Sequence, residues 1–155
     1  MNGRMNGYFT KMEAAAEEFE TAKAARDAEK EELRKAEDWD GIEAWYEREK
    51  QFAFPYTDGE IKAYRAWMQS QRHNSSALEA EDLPWEKDIA DFLRTLREAG
   101  AETFTVTDQS TALMRSLHAF AAEGCTVEGI CTVTRRENRF GTVQDYEVQG
   151  ISIRL

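Results

Sequence analysis

The residues with the clearest chemical argument are Asp108, Gln109, Ser110 and Thr111. They follow a short alternating run, Thr103 to Thr107, and precede a helical one, which puts them at a strand's carboxyl end and a helix's amino end. Sheets flanked by helices bind ligands at such junctions, and the free amides of a helix start attract anions. Asp108 would repel an anion but could hold a hydroxyl or a metal; its simpler role, shared with Ser110, is to cap the helix. No glycine-rich phosphate cradle precedes it. Arg135, Arg136 and Arg139 form the one basic cluster, beside Phe140 and a turn. They read either as a patch for phosphate or an acidic partner, or as a charged hairpin tip. Joined to Arg135 and Arg136, the 108–111 junction defines the site that a small ligand-binding or enzymatic domain would use.

The other reactive types give less. His118 belongs to the class that titrates near neutrality, yet no Ser, Cys or Asp stands at a catalytic spacing from it, so it reads as a packed or surface side chain. His73 is the only other histidine, and the pair has no metal-ligand spacing; no metal and no cofactor is expected. Cys125 and Cys131 stand six apart on one predicted strand, ~20 Å at ~3.3 Å per residue, beyond the reach of a disulfide. They read as free thiols of a reducing compartment. The carboxylates Asp38/Asp40 and Glu79/Glu81/Asp82 could flank a substrate as paired acids, but acids are frequent enough here for such pairs to arise by chance.

Composition narrows the class. The 155 residues carry 20 Lys+Arg against 30 Asp+Glu, a net charge of −10, which argues against direct nucleic-acid binding through bulk phosphate attraction. Four Trp, five Tyr and eight Phe supply a core, so the chain is not disordered. No apolar run approaches the ~20 residues of a membrane span and the MNGRMNGYF opening has no signal-peptide core, so a cytoplasmic protein is expected.

The elements that must position these groups fall into three parts: an acidic helical arm over 1–56, a short helix and polar linker over 57–76, and a small α/β domain over 77–155. The arm is rich in Ala, Glu, Lys and Arg. Met5, Tyr8, Met12, Ala15, Phe19 and Ala22 make one apolar stripe, which continues onto Arg26 and Glu29 and so weakens. A long, mostly solvated helix packed at its start is expected, breaking near Asp38–Gly41 before Ile42, Trp45 and Tyr46 open a new face. Pro55 ends the connection, and Thr57 with Glu60 forms a capping box for a helix bearing Ile61, Tyr64, Trp67 and Met68. Gln71–Ser76 reads as a flexible linker.

Pro84 restarts a helix whose apolar face is Trp85, Ile89, Phe92, Leu93 and Leu96, stopped by Gly100. Phe104 and Val106 alternate inward on a strand; Leu113, Met114, Leu117 and Phe120 line a helix ended by Gly124; Cys125–Arg136 and Thr142–Gln149 form a hairpin. Tyr146 and Val148 differ in parity from Ile151 and Ile153, for which a bulge at Gln149–Gly150 would compensate. The fold class is therefore α+β: a helical arm, then an α-β-α-β-β domain. Its first two strands are joined by a parallel crossover.

The stretch PWEKDIADFLRTLREAGAETFTVTDQSTALMRSLHAFAAEGCTVEGICTVTR resembles small accessory proteins carried by conjugative elements and prophages of anaerobic gut bacteria. The likeness runs from Pro84 to Leu155, and the MNGYFTKMEAAAEEF opening is similar in style. It implies a cytoplasmic bacterial protein of mobile-element context, and no catalytic residue comes with it.

The charge falls unevenly: nine basic and fourteen acidic residues in 1–50, six and nine in 51–100, five and seven in 101–155. An acidic helical surface can occupy a site that normally binds nucleic acid, setting carboxylates where phosphates would lie. Trp39, Trp45, Tyr46, Phe52, Phe54 and Tyr56 add aromatics that serve either as interface anchors or as core. The expectation is a non-enzymatic module that binds another protein, with Tyr8, Met12, Phe19, Glu17, Glu18, Glu31, Glu32, Trp39, Trp45 and Tyr46 at the interface. Self-association through the Tyr8–Phe19 stripe is a further reading.

Overall fold

A computed structural model describes residues 3–155. The chain divides into two compact units, one of residues 3–9 with Thr57–Leu155, the other of Thr10–Tyr56. Helix α1, Gly3–Lys35, contributes its first two turns to the former and the remainder to the latter.

Four helix ends share one device. After α1, and after α3 (Asp58–Arg72), α4 (Ile89–Glu98) and α5 (Leu113–Ala122), a residue of positive φ turns the chain: Glu37, Asn74, Gly100 and Gly124. Each gives its amide, and the next residue's amide, to carbonyls of the last turn; Gly100 N donates to Arg97 O at 3.0 Å and Ala101 N to Leu96 O at 3.0 Å. Glycine and asparagine tolerate this conformation, whereas Glu37 at φ 56° carries the side-chain penalty. Asp38 then caps α2, Trp39–Glu49, by accepting from Gly41 N at 2.9 Å. The helix break falls where the sequence placed it.

In the smaller unit α2 returns along α1. Trp45, buried, donates from Nε1 to Arg26 O at 2.8 Å, and Arg26 pairs with Glu49 at 2.9 Å. Arg26 and Glu29, which interrupt the apolar stripe, are thus the residues that meet α2; Glu29 pairs with Arg48 at 2.7 Å.

In the larger unit the Thr57–Glu60 capping box opens α3 as expected. The fully packed face of α3 is Gly59, Ala63, Ala66 and Ser70 rather than its aromatic one. A Cβ on Gly59 would collide with the Asp88 carbonyl, so small side chains set how closely α3 meets the start of α4. Tyr64 and Trp67 lie half-buried on the buried Phe9 ring. Helix α4 follows a 3-10 turn at Glu86–Asp88 and buries Ile89, Phe92, Leu93 and Leu96. Trp85, expected on that face, lies before the turn and is 76% exposed.

Four strands form one mixed sheet in the order β1-β2-β4-β3: β1 Glu79–Ala80, β2 Thr103–Val106, β3 Thr126–Arg139 and β4 Thr142–Arg154. β1 is parallel to β2, and β4 is antiparallel to both β2 and β3. β2 and β3 therefore run the same way, as the crossover reading required, but with β4 inserted between them. On one face Phe104 packs with Phe92 and Phe120 at centroid distances of 5.6 and 5.3 Å, with Ile153 as its cross-strand neighbour. The bulge lies between Val127 and Gly129 on β3, not at Gln149–Gly150. With β4 regular through that point, Tyr146 and Val148 face the opposite side from Ile151 and Ile153, so the sheet has two buried faces rather than one. The second holds Glu79, Thr105, Val133 and Gly150. A Cβ on Gly150 would strike the Thr105 side chain.

The residues read as a flexible linker are bound to the sheet. Ser76 N donates to Thr134 O at 2.8 Å and Arg136 N to His73 O at 2.8 Å, so the segment entering β1 lies along the outer edge of β3. The hairpin turn is Phe140–Gly141, both with positive φ. Cys125 and Cys131 are unbridged.

Candidate functional site

The strand–helix junction folds onto itself. Asp108 Oδ1 accepts from Ser110 N at 2.7 Å and Oδ2 from Ser110 Oγ at 3.2 Å, a local turn that uses the carboxylate. Helix α5 starts later, its N-cap is Ala112, and no side chain caps it. The expected capping role of Asp108 and Ser110 is corrected accordingly: Thr111 and Ala112 separate Ser110 from the first helical residue, Leu113. Gln109, Ser110 and Thr111 are exposed. The arginines assigned to the same site are engaged elsewhere, Arg136 with Asp145 at 2.7 Å and Arg135 with Glu79 and Glu81. His118 is exposed.

Arg135 is no exposed hairpin tip. Its side chain is 13% exposed and grips Glu79, which is fully buried, with Nε at 3.0–3.1 Å and Nη2 at 2.5 Å. Ser75 Oγ donates to the same carboxylate at 2.5 Å. Burial pushes the Glu79 carboxyl up, but the Arg135 and Ser75 hydrogen bonds outweigh it and hold it below the ordinary glutamate range. Arg135 also meets Glu81, which lies 3.0 Å from His73 Nε2; His73 Nδ1 meets Glu137; and Tyr146 Oη donates to Glu137 at 2.7 Å. Tyr146 first, with His73 and against burial, keeps Glu137 ionised below its usual range. Both ring nitrogens of His73 are occupied by carboxylates, so the ring is not free to serve as a base. This chain of side chains joins β1, β3, β4 and the 73–76 segment, and its geometry is that of a clamp. Sequence reasoning missed it because its members are scattered over 74 positions; the one local signal is an acid between Leu78 and Ala80.

In the larger unit Tyr8 donates to Glu98 at 3.0 Å, and burial together with that carboxylate pushes its hydroxyl up to about 12. In the smaller unit Met12 and Trp45 are buried, and Phe19 meets Phe54 edge to face at 5.3 Å. Lys30 Nζ stands 4.6 Å from the Trp45 ring and 5.6 Å from that of Tyr46, and Arg26 lies 4.1 Å over Phe52. A cleft of about 220 Å³ is lined by Arg26, Glu29, Trp45, Arg48, Glu49 and Phe52. Outside it, Trp39 is 65% and Tyr46 54% exposed. Glu31 and Glu32 pair with Arg34 and Lys35. Glu17, Glu18, Asp40 and Glu43 are exposed and enter no ion pair among the described residues. The structure thus brings Trp39, Trp45, Tyr46 and a set of unpaired carboxylates into one helical unit.

Among the described residues no group of three or more His, Cys, Asp or Glu side chains is arranged to hold a metal, and no helix is long and apolar enough to cross a membrane. A family model described as a domain of unknown function, DUF7698, matches residues 62–155. No curated protein and no solved structure matches the chain. The matched span takes in most of α3 and everything from β1 to β4, which is more than half of the sequence, and the chain belongs to the DUF7698 family.

Proposed function

We propose that this chain is a non-enzymatic interaction module whose helical unit docks on another protein, in a mobile-element setting as an inhibitor that sets carboxylates where a nucleic acid's phosphates would lie. The observation that carries the reading is the surface of residues 10–56. These residues hold eight basic and fourteen acidic side chains, and they leave Trp39 and Tyr46 in solvent beside the unpaired Asp40 and Glu43. Large aromatics ringed by charge are the usual anchors of an interface. The rival reading, a ligand site at Asp108–Thr111 with Arg135 and Arg136, is weakened because the Asp108 carboxylate is used within its own turn and both arginines already have partners. Self-association through Tyr8, Met12 and Phe19 is weakened in the same way, since Tyr8 is bonded to Glu98, Phe19 packs on Phe54 and Met12 is buried.

A photo-crosslinking side chain at position 39 or 46, compared with one at position 111, tests the proposal in native-host cells. A single protein adduct formed from 39 and 46 but not from 111 is expected. Adducts from 111 alone, or dimers of this chain alone, would favour the rivals.

A further inference from the structure

We infer that the His73–Ser76 segment is a proton-operated latch on the outer edge of β3, closed while the His73 ring carries both of its protons. The ring places Nε2 3.0 Å from Glu81 Oε1 and Nδ1 against Glu137 Oε1. An ionised carboxylate can only accept hydrogen bonds, so each contact calls for an N–H. A neutral imidazole has one N–H and one lone pair, and in either tautomer the lone pair would face a carboxylate. Only the imidazolium satisfies both sides.

The charges around the ring agree. Three carboxylates, Glu79, Glu81 and Glu137, meet Arg135 from β3 and Arg139, whose Nε is 3.6 Å from Glu137 Oε2. Two arginines leave one negative charge over, and a charged His73 balances it. Tyr146 from β4 donates to Glu137 and keeps that carboxylate ionised. From α3 the ring receives the helix's carboxyl end, since His73 is its C-cap, and that end favours a cation.

Ring and strand edge belong to the same residue. The His73 carbonyl accepts from Arg136 N at 2.8 Å; two residues along, Ser76 N donates to Thr134 O at 2.8 Å and Ser76 Oγ accepts from Thr134 N at 2.9 Å. When the ring gives one proton to solvent, one of its two bridges becomes a lone pair against a carboxylate, and three acids are left with two cations. Because the doubly protonated ring stabilises the closed segment, closure is favoured at low pH and is lost as rising pH removes one of the two ring protons.

Amide hydrogen exchange by NMR on the full chain, between about pH 5.5 and 8.5 and corrected for intrinsic rates, spans the range over which imidazoles change charge. Protection at Thr134 and Arg136 is expected to fall at least tenfold with rising pH. Val133 and Arg135, whose amides alternate to the β4 side, should hold theirs. At the lower pH both ring nitrogens of His73 should give protonated ¹⁵N shifts. His73→Gln should show the low protection at Thr134 and Arg136 throughout; if it does not fold, the wild-type readings decide alone. Protection independent of pH, a lone-pair nitrogen signal at low pH, wild-type protection in His73→Gln, or an equal fall at Val133 and Arg135 would each overturn the latch.

Discussion

Phe104 and Trp45 are the central aromatics of the two units, and they are held in different ways. Phe104 sits among Phe92, Phe120 and Ile153, all without solvent exposure, on a sheet covered by α4 and α5. Trp45 and Met12 are the only large apolar side chains buried within residues 10–56; around Trp45 stand Lys30, the Arg26–Glu49 pair and the half-exposed Arg48–Glu29 pair. One unit is stabilised by area removed from water. The other spends its aromatics and charges near the surface, where each ion pair contributes little and salt screens it. A unit built in the second way keeps side chains available to a partner, at the expense of its own stability.

The contrast can be broken at its strongest point. Phe104→Ala should cost about 3–5 kcal/mol in a denaturant melt, from lost burial and the cavity left behind. A loss near 1 kcal/mol would mean the sheet face is not the core described. Next comes the charge inside the larger unit. Arg135→Met leaves Glu79 buried without its cation and should cost about 3 kcal/mol, whereas the double variant Glu79→Leu/Arg135→Met should recover most of that. The same carboxylates set the acid limit. Glu79 and Glu137 are held below their ordinary range in the fold, so their contribution is present at neutral pH and is lost progressively as pH falls from the ordinary glutamate range to the lower one of the fold; a melt followed from about pH 7 downward should register its onset. In the smaller unit, Trp45→Phe removes the hydrogen bond to Arg26 O and should cost about 1 kcal/mol. The smallest effect has the opposite sign. Glu37→Gly relieves a left-handed residue that closes α1 and should stabilise by about 1 kcal/mol, seen as a raised Tm.

Local signals in the sequence were readable. Thr57 with Glu60, Gly100 and Gly124 mark helix boundaries through bonds made within a few residues, and they hold. Non-local features were not. β1 is two residues long and carries a buried glutamate, so neither periodicity nor composition points to it. The placement of β4 between β2 and β3 depends on which edges meet, and the bulge beside Glu128 arises from that pairing rather than from Gly150. Gln71–Ser76 is polar and looks like a linker because its bonds are made to residues some 60 positions away. Of the candidate sites, the exposed Trp39 and Tyr46 could be named from the sequence but not told from core, since exposure depends on what α2 packs against. Arg135 looked solvated because its carboxylates are remote in the chain.

The docking proposal is tested most directly by the affinity of the protein captured at Trp39 or Tyr46 for three forms of this chain. These are the wild type, a Glu17→Lys/Glu18→Lys/Asp40→Lys/Glu43→Lys variant of unchanged helicity, and Asp108→Ala/Ser110→Ala. Charge reversal is expected to weaken binding at least tenfold, and wild-type binding should fall steeply with salt, while the junction variant binds as tightly as wild type. Full affinity in the charge-reversed chain, with binding lost in the junction variant, would contradict the account.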